Sequence, residues 1–485
     1  MDLELSLDPD DAPRLLRLPL LASATRGRAQ ARRIVWYDSP DAALTASGLA
    51  LAQDRGAWRI ERLVPQPEDI WPPGAPPPVL AQAADRAALG DALPSLPSPL
   101  APAVAFAGRQ RSIALTTDQG TITLTLLRGT LRAVTEEQAV ARLHLSGEER
   151  AVLQVVLALA SEVRLAVASA TLAADALAAA RGASPPPRRA GGTALPAGFG
   201  IADGFAFALA HLTDVVLHFA PAAAADQTGP EPVHQMRVAL RRLRSAVTVF
   251  RPVLDCPELH AAAAGLKALS LRLGPTRDWD VFMGETLPAV TEAFPRQQRL
   301  ERLVAAAERR RRECHAALRD FLGGTEFRRV GIELAWLAAA RCWHPPPPDM
   351  EQAMPLRDYG AEVLSRRLRK LQQADDMAEL DAPGLHALRL RAKRARYAAE
   401  IFAPLYPGKA PRRFLTRLAA VQDGLGALND RATAEKLLAE LGGPGGRHGY
   451  AVGLVLGFTA AATTDLLPRV ERRWAKFQRA GRFWA

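Results

Sequence analysis

Two stretches of this chain repeat each other at a constant distance of 152 residues, and that repeat limits what the C-terminal half can become. His234 to Leu254 reads HQMRVALRRLRSAVTVFRPVL; His386 to Tyr406 reads HALRLRAKRARYAAEIFAPLY. His234 falls on His386, Arg237 on Arg389, Arg241 on Lys393, Arg242 on Arg394 and Arg244 on Arg396. Phe250 and Pro252 recur as Phe402 and Pro404, and further on Leu273-Gly274 and Asp278 fall on Leu425-Gly426 and Asp430. A register held over about 45 residues marks a duplication.

Each stretch reads as a helix. At 3.6 residues per turn, His234, Arg237, Arg241 and Arg244 fall within an arc of roughly 80°. Ala239, Leu243, Ala246, Val247 and Phe250 lie on the other side, available for burial. Arginines at helical spacing often form only a solvated face. Here the histidine and four basic positions recur in both copies, each followed by an LGxx(R/N)D element, which points to a site. The candidates are His234, Arg237, Arg241, Arg242, Arg244, His386, Arg389, Lys393, Arg394, Arg396 and Tyr397. Guanidinium forks grip two oxygens of a phosphate at once and stay charged at any physiological pH. The histidines either join them or hold a helix start. Tyr397, opposite Ser245, either bonds a phosphate or packs. Asp278 and Asp430 can orient arginines, cap a helix or meet a metal. Further basics at Arg309 to Arg312 and at Arg366, Arg367, Arg369 and Lys370 either extend the face or are solvated surface.

These residues resemble the CHAD domain, through HQMRVALRRLR with LGPTRDWDVF and HALRLRAKRARYAAEIFAPLY with VQDGLGALND, over about residues 197 to 485. The resemblance implies two pseudo-symmetric four-helix bundles around a basic groove, and binding of inorganic polyphosphate at the candidates above.

The first 135 residues or so read instead as strands and turns. Leu3, Leu5 and Leu7 alternate with polar residues, Ile34 to Tyr37 is a second strand, and Ser112 to Leu127 forms a hairpin about Asp118-Gln119-Gly120. Val64 to Pro102 reads as an irregular proline-rich loop, and Glu148 to Arg181 as one alanine-rich helix. DLELS, VWYDSPDAAL and RSIALTTDQGTITLTLLRG resemble a CYTH domain, a β-barrel tunnel, over residues 1 to 181. Active members open with ExExK, whose glutamates hold a divalent metal and whose lysine contacts triphosphate. Here Glu4 remains, Asp2 is a stand-in and Ser6 occupies the lysine position. Leu49-Ala50-Leu51-Ala52 stands where the family alternates arginines, and Arg142-Leu143-His144-Leu145 where it alternates glutamates. The resemblance therefore implies a degenerate barrel serving as a scaffold, with a metal-dependent triphosphatase as the alternative.

The expected layout is α+β and multidomain: an antiparallel β-barrel over 1–181, a Pro/Gly/Ala linker over 182–199, and an all-α domain over 200–485. Its two repeats cover about 200–343 and 350–485, as two pseudo-symmetric four-helix bundles. Residues 1 to 200 hold 20 Lys+Arg and 20 Asp+Glu, whereas the remainder holds 42 and 31. The whole excess of +11 thus lies in the helical half, which asks for a polyanionic partner. A nucleic acid would meet the same demand, but few aromatics interleave with the basics and no reader motif occurs. Cys256, Cys314 and Cys342 are scattered without a CxxC, so neither a disulfide framework nor a zinc site is expected, and no cofactor is. No HExxH, phosphate-binding GxxxxGK[ST] or GxSxG element occurs, so no catalytic residue is assigned. The acidic start is unlike a secretory signal, and Gly449 to Thr464 is short for a membrane span and reads as a buried helix. The expected location is the cytoplasm, at polyphosphate granules.

Overall fold

The computed structural model describes residues 1–95, 98–133, 136–225, 229–343, 354–373, 380–463 and 466–485, apart from the side chains at 91, 382, 428–430 and 463. The expected break at 226–230, the proline run at 344–348 and the Asp430 side chain fall wholly or mainly outside this description. The layout is α+β and multidomain, an antiparallel sheet of ten strands followed by a helical region.

Leu3, Leu5 and Leu7 are buried on β1 (Asp2–Leu7), as their alternation predicts. The other strands are β2 (Thr25–Arg26), β3 (Gln30–Asp38), β4 (Leu49–Asp54), β5 (Ala57–Arg62), β6 (Val79–Ala83), β7 (Ala101–Thr117), β8 (Gly120–Arg132), β9 (Glu137–Ser146) and β10 (Leu165–Val167). They pair in the order β10-β1-β9-β8-β7-β3-β4-β5-β6, with β2 on β7. The ladder ends at β10 and β6 rather than closing strand to strand. Its ends are bridged by the segment before β6, where the Glu4 amide donates to the Gly74 carbonyl at 2.6 Å. Gly74 has a φ of +75°, and a Cβ there would lie 2.8 Å from Leu3 Cδ1, so glycine allows this approach.

Two local expectations are corrected. Val64 to Pro102 contains β6 and a 3-10 helix, Arg86–Ala92, started by the Asp85 carboxylate accepting from the Ala87 amide. Glu148 to Arg181 is divided into α1 (Glu149–Glu162), β10 and α2 (Leu172–Ala179). Alanine-rich composition favours helix throughout, but Leu165 to Val167 gains a ladder on β1, and Thr171 accepts from the Ala174 amide at 3.1 Å to begin a new helix.

From Ile201 onward the chain is helical: α3 (Ile201–Ala224), α4 (Glu231–Phe250), α5 (Pro257–Val281), α6 (Leu287–Ala293), α7 (Gln298–Gly323), α8 (Thr325–Ala340), α9 (Leu356–Gln372), α10 (Ala382–Phe402), α11 (Ala410–Glu440), α12 (Gly449–Thr463) and α13 (Leu466–Gln478). The LGxx(R/N)D elements read as breaks between helices; instead α5 and α11 run straight through them. Glycine and proline disfavour a helix interior by about 1 and 3 kcal/mol. Around Gly274-Pro275 the full burial of Leu273, Thr276 and Trp279 outweighs that preference. These long helices reach both apolar cores. One core joins Phe205, Leu243, Phe250, Phe402 and Phe477; the other joins Trp279, Leu303, Leu437 and Val452, so each draws on both repeats.

Two segments, Ile201–Ala224 and Gly449–Gln478, are long and apolar enough to cross a membrane. The first, α3, is the buried centre of the larger core. The second begins with α12, which is not the buried helix expected: among its described residues only Ala451, Val452 and Val455 are buried.

The sheet and the helices pack on each other. Ile332 and Ala335 of α8 lie against Leu3, Leu5 and Leu7, and the Trp336 indole donates to the Glu149 carbonyl at 2.7 Å. Residues 182–199 contain neither helix nor strand, yet Arg188 and Arg189 within them are buried. The Arg188 guanidinium lies 4.3 Å from the Trp71 ring centroid, with its Nε 3.7 Å from Asp214 on α3.

Candidate functional site

The two basic helices pack against each other, α4 beside α10. Their apolar faces place Leu243, Phe250, Ala395 and Phe402 in the common core, which turns the opposite faces outward. Between them lies a cavity of about 830 Å³. Its lining carries the cations Arg237, Arg241 and Arg244 from α4, Lys267 from α5, Arg367 from α9, and Lys393 and Arg394 from α10. Among the described residues, no carboxylate lines it.

Two of these cations make direct contacts beside the cavity. Arg244 donates to Ser270 Oγ at 3.1 Å, and the Arg241 guanidinium stacks 4.9 Å from the Tyr397 ring centroid. Burial pushes the Arg237 guanidinium below its ordinary range, with Asp278 opposing that shift and Arg241 adding to it. Burial also pushes the Asp278 carboxyl up, against the pull of Arg237, Lys436, Lys393 and Arg277. Asp278 thus lies in the field of four cations and is not part of the cavity lining. Arg367 is lowered by burial and then by Arg394 and Arg366, the mark of like charges crowded together. Tyr397 itself is buried, and burial raises its phenol.

The sequence candidates separate at this point. Arg237, Arg241, Arg244, Lys393, Arg394 and Tyr397 line the cavity. Arg242 and Arg396 are engaged elsewhere: both reach Glu400 of α10, at 3.2 and 2.8 Å. His234, His386 and Arg389 are not in the cavity lining. His234 is half-buried near the start of α4, where burial and then Arg277 hold it below its ordinary range. His386 is exposed. Among the extra basics, Arg367 joins the cavity, whereas Arg366 and Arg369 line a separate hollow with Arg482 and Trp484. Arg310, Arg311 and Arg312 pair with Glu313, Glu440, Glu308 and the buried Asp280 and are not in the cavity lining, so they do not extend the groove. Lys267 was missed, because nothing in its local sequence distinguishes it; only the packing of α5 on α4 brings it there.

The face of the sheet covered by α2 holds the second candidate. Strand alternation sets Glu4 opposite Leu3 and Leu5, and the register pairs Ala50 with Glu61 and Ala52 with Arg59 on one face. The carboxylates there have guanidinium partners: Glu4 and Asp175 meet Arg142, Glu61 meets Arg59, and Asp54 meets Arg32 and Arg59. Ala173, Ala174, Ala176 and Leu177 of α2 pack against Ile34, Trp36, Ala50, Ala52 and Phe106. A divalent ion needs several carboxylate oxygens at once, and these are committed to arginines; Asp2 lies by His144 at 3.2 Å. The residues present do not fit the metal that the CYTH resemblance implies.

A sequence model of the family described as the CHAD domain matches residues 207–439, which hold α4, α10, both long helices and the whole cavity lining. The CHAD domain from the plant Ricinus communis aligns at 28% identity with a TM-score of 0.52, over 61% of this chain and 99% of that one. Residues 207–439 are a CHAD domain. PptA from Streptomyces chartreusis also aligns, at 16% identity and a TM-score of 0.45, over 57% of this chain and 100% of that one. No curated protein matches the chain. The N-terminal sheet is consistent with a CYTH-like fold, and the cationic cavity belongs to the CHAD domain.

Proposed function

We propose that the CHAD domain binds inorganic polyphosphate in the groove between α4 and α10. The observation that carries this reading is the concentration of seven cations from four helices around one cavity whose lining has no carboxylate. Like charges so placed repel one another in the apo protein, and a flexible anion with about one charge per phosphate relieves the repulsion along the length of the groove. Arginine forks supply paired bonds to phosphate oxygens. On this reading His234 and His386 flank the groove near the starts of their helices, Arg389 lies on the second basic helix, Arg242 ties α4 to α10 through Glu400, and Arg396 pairs with the same Glu400 along α10. The sheet domain serves as a scaffold, and the protein would act in the cytoplasm at polyphosphate-rich bodies.

The test is a titration with long-chain polyphosphate at physiological salt in the presence of excess DNA. Binding is expected to survive the DNA and to be lost when Arg241, Arg244 and Lys393 are changed together to alanine in a protein whose circular dichroism is unchanged. Binding that DNA abolishes, or that the folded triple variant keeps, overturns the proposal.

A further inference from the structure

Cys256 and Cys342 are 86 positions apart in sequence, yet their Sγ atoms approach to 3.1 Å. The scattered spacing suggests no pairing; the fold brings them together because Cys256 is the N-cap of α5 and Cys342 lies just beyond the end of α8, two helices that pack side by side. Cys256 is buried and Cys342 half-buried, and Cys342 Sγ is also 3.7 Å from Glu258 Oε2. The third cysteine, Cys314, belongs to the other apolar core.

We propose that Cys256 and Cys342 form a reversible disulfide in response to peroxide. Cys256 stands at the amino end of a 25-residue helix, where backbone N–H groups and the helix dipole favour a thiolate. The hydrogen bond from Cys342 pulls the Cys256 thiol below its ordinary range, burial opposes this, and the Leu259 amide adds to it. Cys342 is pushed the other way, by the same hydrogen bond and by burial. The helix N-cap position makes Cys256 the nucleophile, and Cys342, 3.1 Å away, the resolving thiol.

The chemistry balances with hydrogen peroxide as oxidant. The Cys256 thiolate attacks one peroxide oxygen, the O–O bond breaks, and the sulfur becomes a sulfenic acid while hydroxide leaves and takes up a proton as water. Cys342, giving its proton to the departing oxygen, attacks the Cys256 sulfur; the S–S bond forms, the S–O bond breaks, and a second water leaves. Two thiols are oxidised and one peroxide is reduced to two waters. Glu258, beside Cys342 and 3.3 Å from Arg150, is placed to take part in moving the Cys342 proton.

A closed structural zinc site takes four protein ligands, and among the described residues three, Cys256, Glu258 and Cys342, come together here. For a disulfide the two sulfurs need only close by about 1 Å from their 3.1 Å separation. The bond would tie the start of α5 to the exit of α8, immediately before Trp343, whose ring packs 5.0 Å from Phe205.

The experiment is thiol counting and intact mass on the full chain after a stoichiometric pulse of hydrogen peroxide. Two of the three thiols are expected to disappear with a mass decrease of about 2 Da, and a dithiol reductant is expected to restore both. Peptide mapping should join Cys256 to Cys342. Cys342→Ser should instead leave an oxygenated Cys256 that a sulfenic-acid probe captures, and Cys314→Ser should change nothing. Retention of all three thiols, linkage between two chains through Cys342, or stoichiometric zinc that Cys256→Ser releases would each overturn the proposal.

Discussion

Arg242 of α4 donates through Nε to Glu400 of α10 at 3.2 Å, and this ion pair spans the two copies of the duplicated helix. Glu400 also receives Arg396 from its own helix. The duplication therefore contains arginines of two kinds, those that fasten the helices and those that face the cavity. Glu400→Ala is expected to lower stability by about 1–3 kcal/mol, since it strands two partly buried guanidinium groups. Polyphosphate affinity should hold or rise, because no cavity cation is removed. Urea unfolding and polyphosphate titration of one variant check both halves of the statement; weakened binding at unchanged stability would contradict it.

The cavity cations should show themselves through salt. Arg241 and Arg244 are exposed and face the groove. Changing both to alanine is expected to weaken polyphosphate binding at low salt and to reduce the slope of log K against log salt by about one unit for each phosphate no longer neutralised. Stability should fall by no more than about 1 kcal/mol, through loss of the Arg241–Tyr397 stacking and the Arg244–Ser270 bond. Titrations at three salt concentrations are sufficient. A slope equal to that of the parent would remove these two arginines from the site.

The interior of the sheet is closed to the residues that an active tunnel needs. Ala50 and Ala52 are fully buried against α2, in the region where the CYTH resemblance expects arginines. Ala52→Arg should therefore destabilise the protein by about 3 kcal/mol or more, through overpacking and an unpaired buried charge, and should create no triphosphate hydrolysis. Thermal unfolding and magnesium-dependent phosphate release are the measurements. A stable variant that gains activity would show that α2 leaves the interior readily.

Asp214 and His211 on α3 give pH dependences of opposite sign. Burial holds the Asp214 carboxyl up at about 6, with Arg188 and Arg189 opposing. A carboxyl with a raised folded-state value keeps its proton longer when folded, so its contribution is complete below about pH 4 and is lost as pH rises through 6. His211 is held down to about 4, by burial and then by Arg189. Its contribution is present above about pH 6.5 and is lost as pH falls through 4. The stability of the parent relative to Asp214→Asn should therefore fall between pH 4 and 6, by roughly 2–3 kcal/mol, while relative to His211→Asn it should rise over the same range. Chemical denaturation at pH 4, 5, 6 and 7 checks the signs. Parallel curves for either variant would contradict the assignment.

Local pattern and repetition were legible in the sequence. The constant offset identified both basic helices, because a helix displays its face at fixed spacing, and β1 was visible because a strand alternates. The charge balance assigned the polyanion demand to the helical half. Tertiary packing decided what no local pattern contains. Gly274-Pro275 reads as a break, yet burial of Leu273 and Trp279 carries the helix through it. Arg242 and Arg241 are neighbours of one chemistry, and only the position of Glu400 across the interface sends one to structure and leaves the other at the groove. Lys267 and Cys342 acquire their surroundings from helices remote in sequence. A side chain's chemistry is written in its residue, but its partners are set by which helices meet, and burial summed over the whole core determines that.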